Sequence, residues 1–159
     1  MKIRIGFGYD VHRLSEGETL WLGGILIPHF KGTVAHSDGD IVIHAVCDAL
    51  LGAAGLRDIG YHFPDHSDDF RNIDSKILLK KVKGLINDKG YDIGNIDITV
   101  AAQQPRLKDY IPLMEKKMAE VLSLENEAVS VKATTTEKLG FEGREEGISV
   151  YAVALLNRN

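Results

Sequence analysis

Lys2-Ile3-Arg4-Ile5-Gly6-Phe7, running into Gly8-Tyr9-Asp10-Val11-His12, is the stretch from which the rest of the chain can be read. Ile3, Ile5 and Phe7 alternate with Lys2, Arg4 and Gly6. An alternation of period two predicts a half-buried strand. Continued through Gly8, that strand places Asp10 and His12 two residues apart on one face. A carboxylate and an imidazole side by side are a ready pair of zinc ligands.

The partner stretch is Ala35-His36-Ser37-Asp38-Gly39-Asp40-Ile41-Val42-Ile43-His44. Ser37 or Asp38 is expected to cap a helix from about Gly39 to Ala54, its side-chain oxygen taking up a free N–H of the first turn. Asp40, His44 and Asp48 then recur at every fourth position. They form a polar stripe on a helix otherwise built from Ile41, Val42, Ile43, Val46, Leu50 and Leu51. Buried polar groups must be hydrogen-bonded or coordinated. His44 is the natural third ligand beside Asp10 and His12. Three protein ligands leave a fourth tetrahedral position open, the mark of a catalytic zinc. Any two of these residues alone read more readily as ordinary polar groups at element ends; their company favours a site.

Outward from these stretches, the 159 residues suit a single domain over 1–159, burying about 70% of the unfolded chain's surface. The composition is 44% apolar and 26% charged, an ordinary globular balance. A net charge of −4 gives no general affinity for nucleic acid or anionic membranes. The one cysteine, Cys47, has no internal disulfide partner and sits in the apolar helix, as in a reducing compartment. The sequence starts directly in a strand, with no charged-then-apolar leader and no apolar run approaching about 18 residues, so a cytoplasmic protein (bacterial-type, or a mature plastid-type chain) is expected.

Thr19 to Pro28 carries two apolar runs around Gly23-Gly24, read as a glycine-turn hairpin or as one bulged strand. Gly32 to Ser37 is expected to be a connecting loop. Ala53 to Phe70 is the longest irregular stretch, with His62 and His66 read as solvated. Asp74 or Ser75 caps a second helix to about Lys89, with Ile77, Leu78, Val82, Leu85 and Ile86 inward and Lys76, Lys80, Lys81 and Lys83 in solvent. A strand over 96–101, a helix over 108–122 that admits Pro112 only near its first turn, a strand over 128–134 and a strand over 148–156 complete the order. The expected architecture is an α+β two-layer sandwich: a four-stranded mixed sheet with helices on one face, plus a small hairpin. The terminal strand is apolar at nearly every position from Val150 to Leu156, so both sheet faces must be covered. Helices cover one; a partner subunit is expected on the other.

Three further constellations carry chemistry. Thr134-Thr135-Thr136-Glu137 presents hydroxyls for phosphate oxygens and a carboxylate for a hard divalent cation; it reads equally as a capping box. Gly140-Phe141-Glu142-Gly143-Arg144 is a glycine-bracketed turn. Asp58-Ile59-Gly60 is either an acceptor for a sugar hydroxyl or a turn.

Together, Asp10-Val11-His12, Ala35 to Asp40 with His44, Asp48 to Ala54, Asp58-Ile59-Gly60, Phe63-Pro64-Asp65 and Lys132-Ala133-Thr134-Thr135-Thr136-Glu137-Lys138-Leu139-Gly140-Phe141 resemble the 2-C-methyl-D-erythritol 2,4-cyclodiphosphate synthase family of the non-mevalonate route to isoprenoid precursors. The likeness runs from Ile5 to Leu155, with the motifs in one order. It implies zinc on Asp10, His12 and His44. It also implies a homotrimer with sites between subunits. The implied substrate is 4-diphosphocytidyl-2-C-methyl-D-erythritol 2-phosphate, cyclised with loss of CMP.

By the same resemblance, His36 and Thr135 are the catalytic positions that steady the transition state. Glu137 faces a second divalent ion, magnesium or manganese, on the diphosphate. Ser37, Asp58, Ile59 and Gly60, with Phe63, Pro64, Asp65, His66 and Ser67, form the methylerythritol or ribose side. Ala102, Gln103, Gln104, Pro105, Arg106, Leu107 and Lys108, with Thr134 and Thr135, form the cytidine side, and Thr136 is a further substrate-binding position. Tyr9, Phe141 and Arg144 match an axial pocket for isoprenoid diphosphates. Three positions depart from the family: Arg57 where Gly is common, Arg106 where Lys is common, and Tyr151 where some members carry Glu. Rival readings are a zinc phosphoesterase that activates water at the same ligands, and a nucleotide-binding module with a structural metal.

Overall fold

The computed structural model describes residues 2–158. Five strands form the main sheet in the order β4-β1-β7-β5-β6. They are β1 (Lys2–Glu16), β4 (Lys31–Thr33), β5 (Asp92–Ala101), β6 (Val129–Thr134) and β7 (Gly147–Arg158). Only β5 and β6 are parallel; β1 pairs antiparallel with both β4 and β7, and β5 antiparallel with β7. The mixed sheet is as expected, but it has five strands. Lys31–Thr33, read from sequence partly as loop, pairs with Leu14 to Glu16 at the sheet edge. Three residues around a glycine are too short to show a period of two.

A separate hairpin, β2 (Leu20–Leu22) and β3 (Ile25–Ile27), turns at Gly23-Gly24. Both glycines have positive φ, 61° and 77°, as a two-residue hairpin turn of matching twist requires. The bulged-strand reading is therefore excluded.

Three long helices cover one sheet face: α1 (Ile41–Ala53), α3 (Ser75–Asp88) and α4 (Ile111–Leu122). Single turns α2 (Ile59–His62) and α5 (Gly140–Gly143) lie in the connections. The cap of α1 is Asp40, neither Ser37 nor Asp38. Its Oδ1 accepts the N–H groups of Ile43 and Gly23, and its Oδ2 that of Gly24. One buried carboxylate therefore starts the central helix and clamps the hairpin turn to it. Asp74 caps α3, as read, with Leu78, Leu79, Val82 and Ile86 inward. Ile77 is instead 49% exposed. Pro112 falls in the first turn of α4, where its missing N–H costs nothing.

The alternation in β1 is present but inverted relative to the chain's own core. Ile5 and Phe7 are 72% and 63% exposed, and Ile3, Tyr9 and Val11 lie on the same outer face. The inner face of β1 carries Gly6, Gly8, Asp10 and His12. A Cβ on Gly6 would stand 2.0 Å from the carbonyl oxygen of Ala49, and one on Gly8 1.9 Å from that of Ala45. α1 thus lies directly on the backbone of β1. In β7, Ile148, Val150, Ala152, Ala154 and Leu156 are buried under the helices, whereas Tyr151 and Val153 extend the outer apolar face.

A three-ligand centre between strand and helix

The contact of α1 with Gly6 and Gly8 sets where His44 falls. One turn before Asp48, it points over the end of the glycine stretch onto Asp10 and His12. Asp10 Oδ2 lies 3.3 Å from His12 Nδ1 and 3.4 Å from His44 Nδ1. One donor atom from each residue falls within 4.8 Å of the others. Two ligands each about 2.0–2.1 Å from a tetrahedral zinc stand about 3.3 Å apart, so this spacing fits such an ion. His12 Nδ1 is buried and, apart from the Asp10 carboxylate 3.3 Å away, has no partner, a polar atom for an ion to satisfy. The donor set predicted from sequence is thus brought together in full.

The electrostatics agree. Burial pushes the Asp10 carboxyl up, but hydrogen bonds and charge from His12 and His44 overcome it and bring it down to about 2. For His44, burial favours the neutral ring, yet Asp10 outweighs this and moves its pKa upward. Asp48, also on the helix's polar stripe, is shifted up by burial and accepts the N–H of Ile59 at 2.7 Å. It anchors α2 beside the centre. The stripe therefore divides its labour: Asp40 caps, His44 joins Asp10 and His12, and Asp48 holds the next loop.

Asp10, His12 and His44 line a cavity of about 370 Å³ together with His36, Ser37, Ile59, Gly60, Phe63 and Asp65. Asp58 caps α2 through the N–H of Tyr61 and does not line it. Pro64, His66 and Ser67 continue the same loop outside the lining. His62 turns away and bonds the carbonyl of Leu56 at 2.7 Å. Sequence reading missed Arg13, Phe70 and Leu78 in the walls, because nothing local marks them. Arg57 has φ 69°, the left-handed region that explains the family's usual glycine there.

A second cavity of about 360 Å³ is lined by Ala102, Gln103, Pro105, Arg106, Leu107 and Lys108 together with Thr134 and Thr135. β5 and β6 end side by side, with Ala101 opposite Thr134, so both segments leave the sheet at one place. Gln103 Oε1 accepts the N–H of Lys138, tying the two loops across the cavity; Gln104 is not in the lining. Thr134 to Glu137 starts no helix. Thr135 Oγ1 lies 3.5 Å from Glu137 Oε1, and Glu137 and Lys138 both adopt positive φ, 54° and 64°. The capping-box reading is thereby set aside, and the exposed Glu137 is left beside the hydroxyls. On the outer face, Tyr9 stacks at 5.2 Å on Tyr151. Nearby in sequence, Arg144 pairs with Glu146 at 2.9 Å.

Comparisons with known proteins agree with this geometry. A model of the YgbB family matches residues 3–157. The chain is 63% identical over 158 residues to the 2-C-methyl-D-erythritol 2,4-cyclodiphosphate synthase of Bacteroides fragilis, covering 99% of each. Among solved structures, the CDP complex of Plasmodium falciparum IspF superposes with a TM-score of 0.86 at 41% identity, over 99% of this chain and 97% of that one. The bifunctional IspDF of Campylobacter jejuni gives 0.96 at 45% identity; there the chain covers 99% of itself and 43% of the larger protein. With the fold, the ligand cluster and nearly every residue accounted for, the chain belongs to the YgbB family.

Proposed function

We propose that the chain is a 2-C-methyl-D-erythritol 2,4-cyclodiphosphate synthase of the non-mevalonate route. It converts 4-diphosphocytidyl-2-C-methyl-D-erythritol 2-phosphate to the cyclic diphosphate and CMP. The observation that carries the reading is the Asp10, His12 and His44 cluster in the lining of one cavity, with a nucleotide-sized cavity at the ends of β5 and β6. The name of the relative at 63% identity supports it.

In the reaction an oxygen of the 2-phosphate attacks the β-phosphorus, the bond from that phosphorus to the CMP oxygen breaks, and the electron pair leaves with CMP. The attacking oxygen is already anionic, so no strong base is needed; orientation and charge stabilisation are. Asp10, His12 and His44 would hold a zinc ion, which would supply Lewis-acid stabilisation to the diphosphate. Glu137, an exposed carboxylate beside the Thr135 hydroxyl, would take a magnesium or manganese ion, which would supply charge neutralisation to the diphosphate. His36 and Thr135 act as donors to the oxygens on which charge builds. Ser37, Gly60 and Asp65 position the methylerythritol side; Gln103, Arg106 and Lys108 border the cytidine.

The two cavities share no lining residue. In our reading three chains pack through the apolar outer face of β1 and β7, and each substrate spans the metal cavity of one protomer and the cytidine cavity of its neighbour. An isoprenoid diphosphate in the axial cavity would compete with Glu146 for Arg144. We place the enzyme in the cytoplasm; no helix among the described residues is long and apolar enough to cross a membrane.

Chromatographic assay of nucleotide release tests the reading. With zinc and magnesium, wild-type protein is expected to release CMP from the diphosphocytidyl substrate, and His44→Ala to release none. No CMP from metal-replete wild type would overturn it in favour of a binding module.

A further inference from the structure

Behind the three ligands, away from the cavity, His44 presents its second nitrogen to a hydroxyl that the reaction does not use. Its Nε2 lies 3.0 Å from the Oγ of Ser75, the first residue of α3. Ser75 is fully buried. Its hydroxyl is spoken for on the other side: it donates to Asp38 Oδ1 at 2.5 Å, and its backbone N–H donates to Asp38 Oδ2 at 2.8 Å. Asp38 also accepts the N–H of Asp40 at 3.1 Å.

The direction of this chain is fixed by its donors. A carboxylate only accepts, so the Ser75 proton points to Asp38 and a Ser75 lone pair points to His44. A lone pair at that position requires a proton on Nε2. In the neutral ring that a metal ion requires, this leaves the lone pair of His44 on Nδ1, the atom 3.4 Å from Asp10 Oδ2, in place of the proton that Nδ1 gives Asp10 when no ion is bound. Ser37 Oγ stands 3.2 Å from the same Nε2 but already takes the N–H of Gly39 at 3.2 Å, and it lines the cavity. Ser75 is the partner sealed from solvent and held on both sides.

We propose that Asp38 and Ser75 are positioning residues of the metal centre, holding His44 in the tautomer and ring orientation that present Nδ1 to the ion. The proposal rests on the reading of Asp10, His12 and His44 as a metal site. It gives a role to two residues whose sequence context suggested only helix caps. Ligating histidines commonly donate their other N–H to a fixed acceptor, and loss of that acceptor costs about 10- to 100-fold in metal affinity. Here the acceptor is a hydroxyl whose polarity a carboxylate sets.

The test uses the full chain, stripped of metal and titrated with zinc against a chromogenic chelator. Wild type, Ser75→Ala and Asp38→Asn are compared, and the His44 ring is followed by 15N–1H NMR in the zinc-loaded state. Alanine keeps the backbone N–H bond to Asp38, so α3 retains its start. Ser75→Ala is expected to bind zinc about 10- to 100-fold more weakly. Its His44 Nε2–H resonance should shift and exchange faster, while unfolding of the metal-free protein stays near wild type. Asp38→Asn is expected to change both readouts in the same sense and to a smaller degree. Variants with wild-type affinity overturn the proposal, as does weakened binding with an unchanged His44 Nε2–H signal. Wild type that takes up no divalent ion would overturn instead the metal-site reading beneath it.

Discussion

Gly8 of β1 faces the carbonyl oxygen of Ala45 in α1 so closely that a methyl group at position 8 would stand 1.9 Å from it. The ligands Asp10 and His44 flank this contact in sequence, two residues after Gly8 and one before Ala45. Gly8→Ala must push helix from strand. We expect a loss of about 3 kcal/mol or more in unfolding free energy, and a fall in zinc affinity larger than that caused by an equally destabilising change elsewhere. Denaturant unfolding of metal-free protein beside zinc titration separates the two.

Asp40 gives a pH dependence of definite sign. Burial drives its carboxyl above the ordinary 3.8, against the N–H groups of Gly24, Ile43 and Gly23, which pull it down. Between 3.8 and the raised value the folded chain holds more protons than the unfolded one. The contribution of this group to stability therefore falls as pH rises through that window. Asp40→Asn should flatten that part of the stability profile. It should also destabilise near neutrality by about 1–3 kcal/mol, because an amide NH2 replaces one of two accepting oxygens. Guanidinium midpoints from about pH 4 to about pH 8 measure both effects.

The outer face of β1 and β7 predicts assembly. Phe7 and Val153 pair across the two strands and are 63% and 45% exposed, a patch that ordinary monomers avoid. Val153→Arg is expected to yield monomers by size exclusion with light scattering, and to lose CMP release with zinc binding retained. An oligomeric state unchanged from wild type would remove this face from any interface.

At the second cavity, Thr135→Ala should lower kcat by about 100-fold, the usual loss when one donor to developing charge is removed. Glu137→Gln should raise the magnesium concentration needed for half-maximal rate. Steady-state kinetics with zinc held constant checks both.

The cluster of Asp10, His12 and His44 was legible because each sits in a strong local pattern: Asp10 and His12 two apart on a strand, His44 on an apolar helix. The helices, the hairpin turn and the long strands followed from periodicity and from Gly23-Gly24 for the same reason. What stayed hidden depends on distant partners. Ile3, Ile5 and Phe7 show alternation but not which face meets the helices, and it is the glycines at 6 and 8 that do. Asp38 and Ser75 read as caps, since Ser and Asp near a helix start satisfy N–H groups whatever else they touch, and Asp40 reads only as one member of a polar stripe. Only the packing of α1, α3 and the hairpin shows that Asp40 caps α1 while Asp38 reaches Ser75. The edge strand over 31–33 was too short to leave a pattern.

Phosphorus NMR of the product tests the central claim most directly, since cyclisation and hydrolysis both release CMP. Metal-replete protein is given the diphosphocytidyl substrate, and the two product phosphorus signals are followed. The expected product is a cyclic diphosphate with its two phosphorus atoms coupled through a shared oxygen. An open-chain bisphosphate with uncoupled signals would contradict it, and would mean that water is the attacking group at the Asp10, His12 and His44 centre.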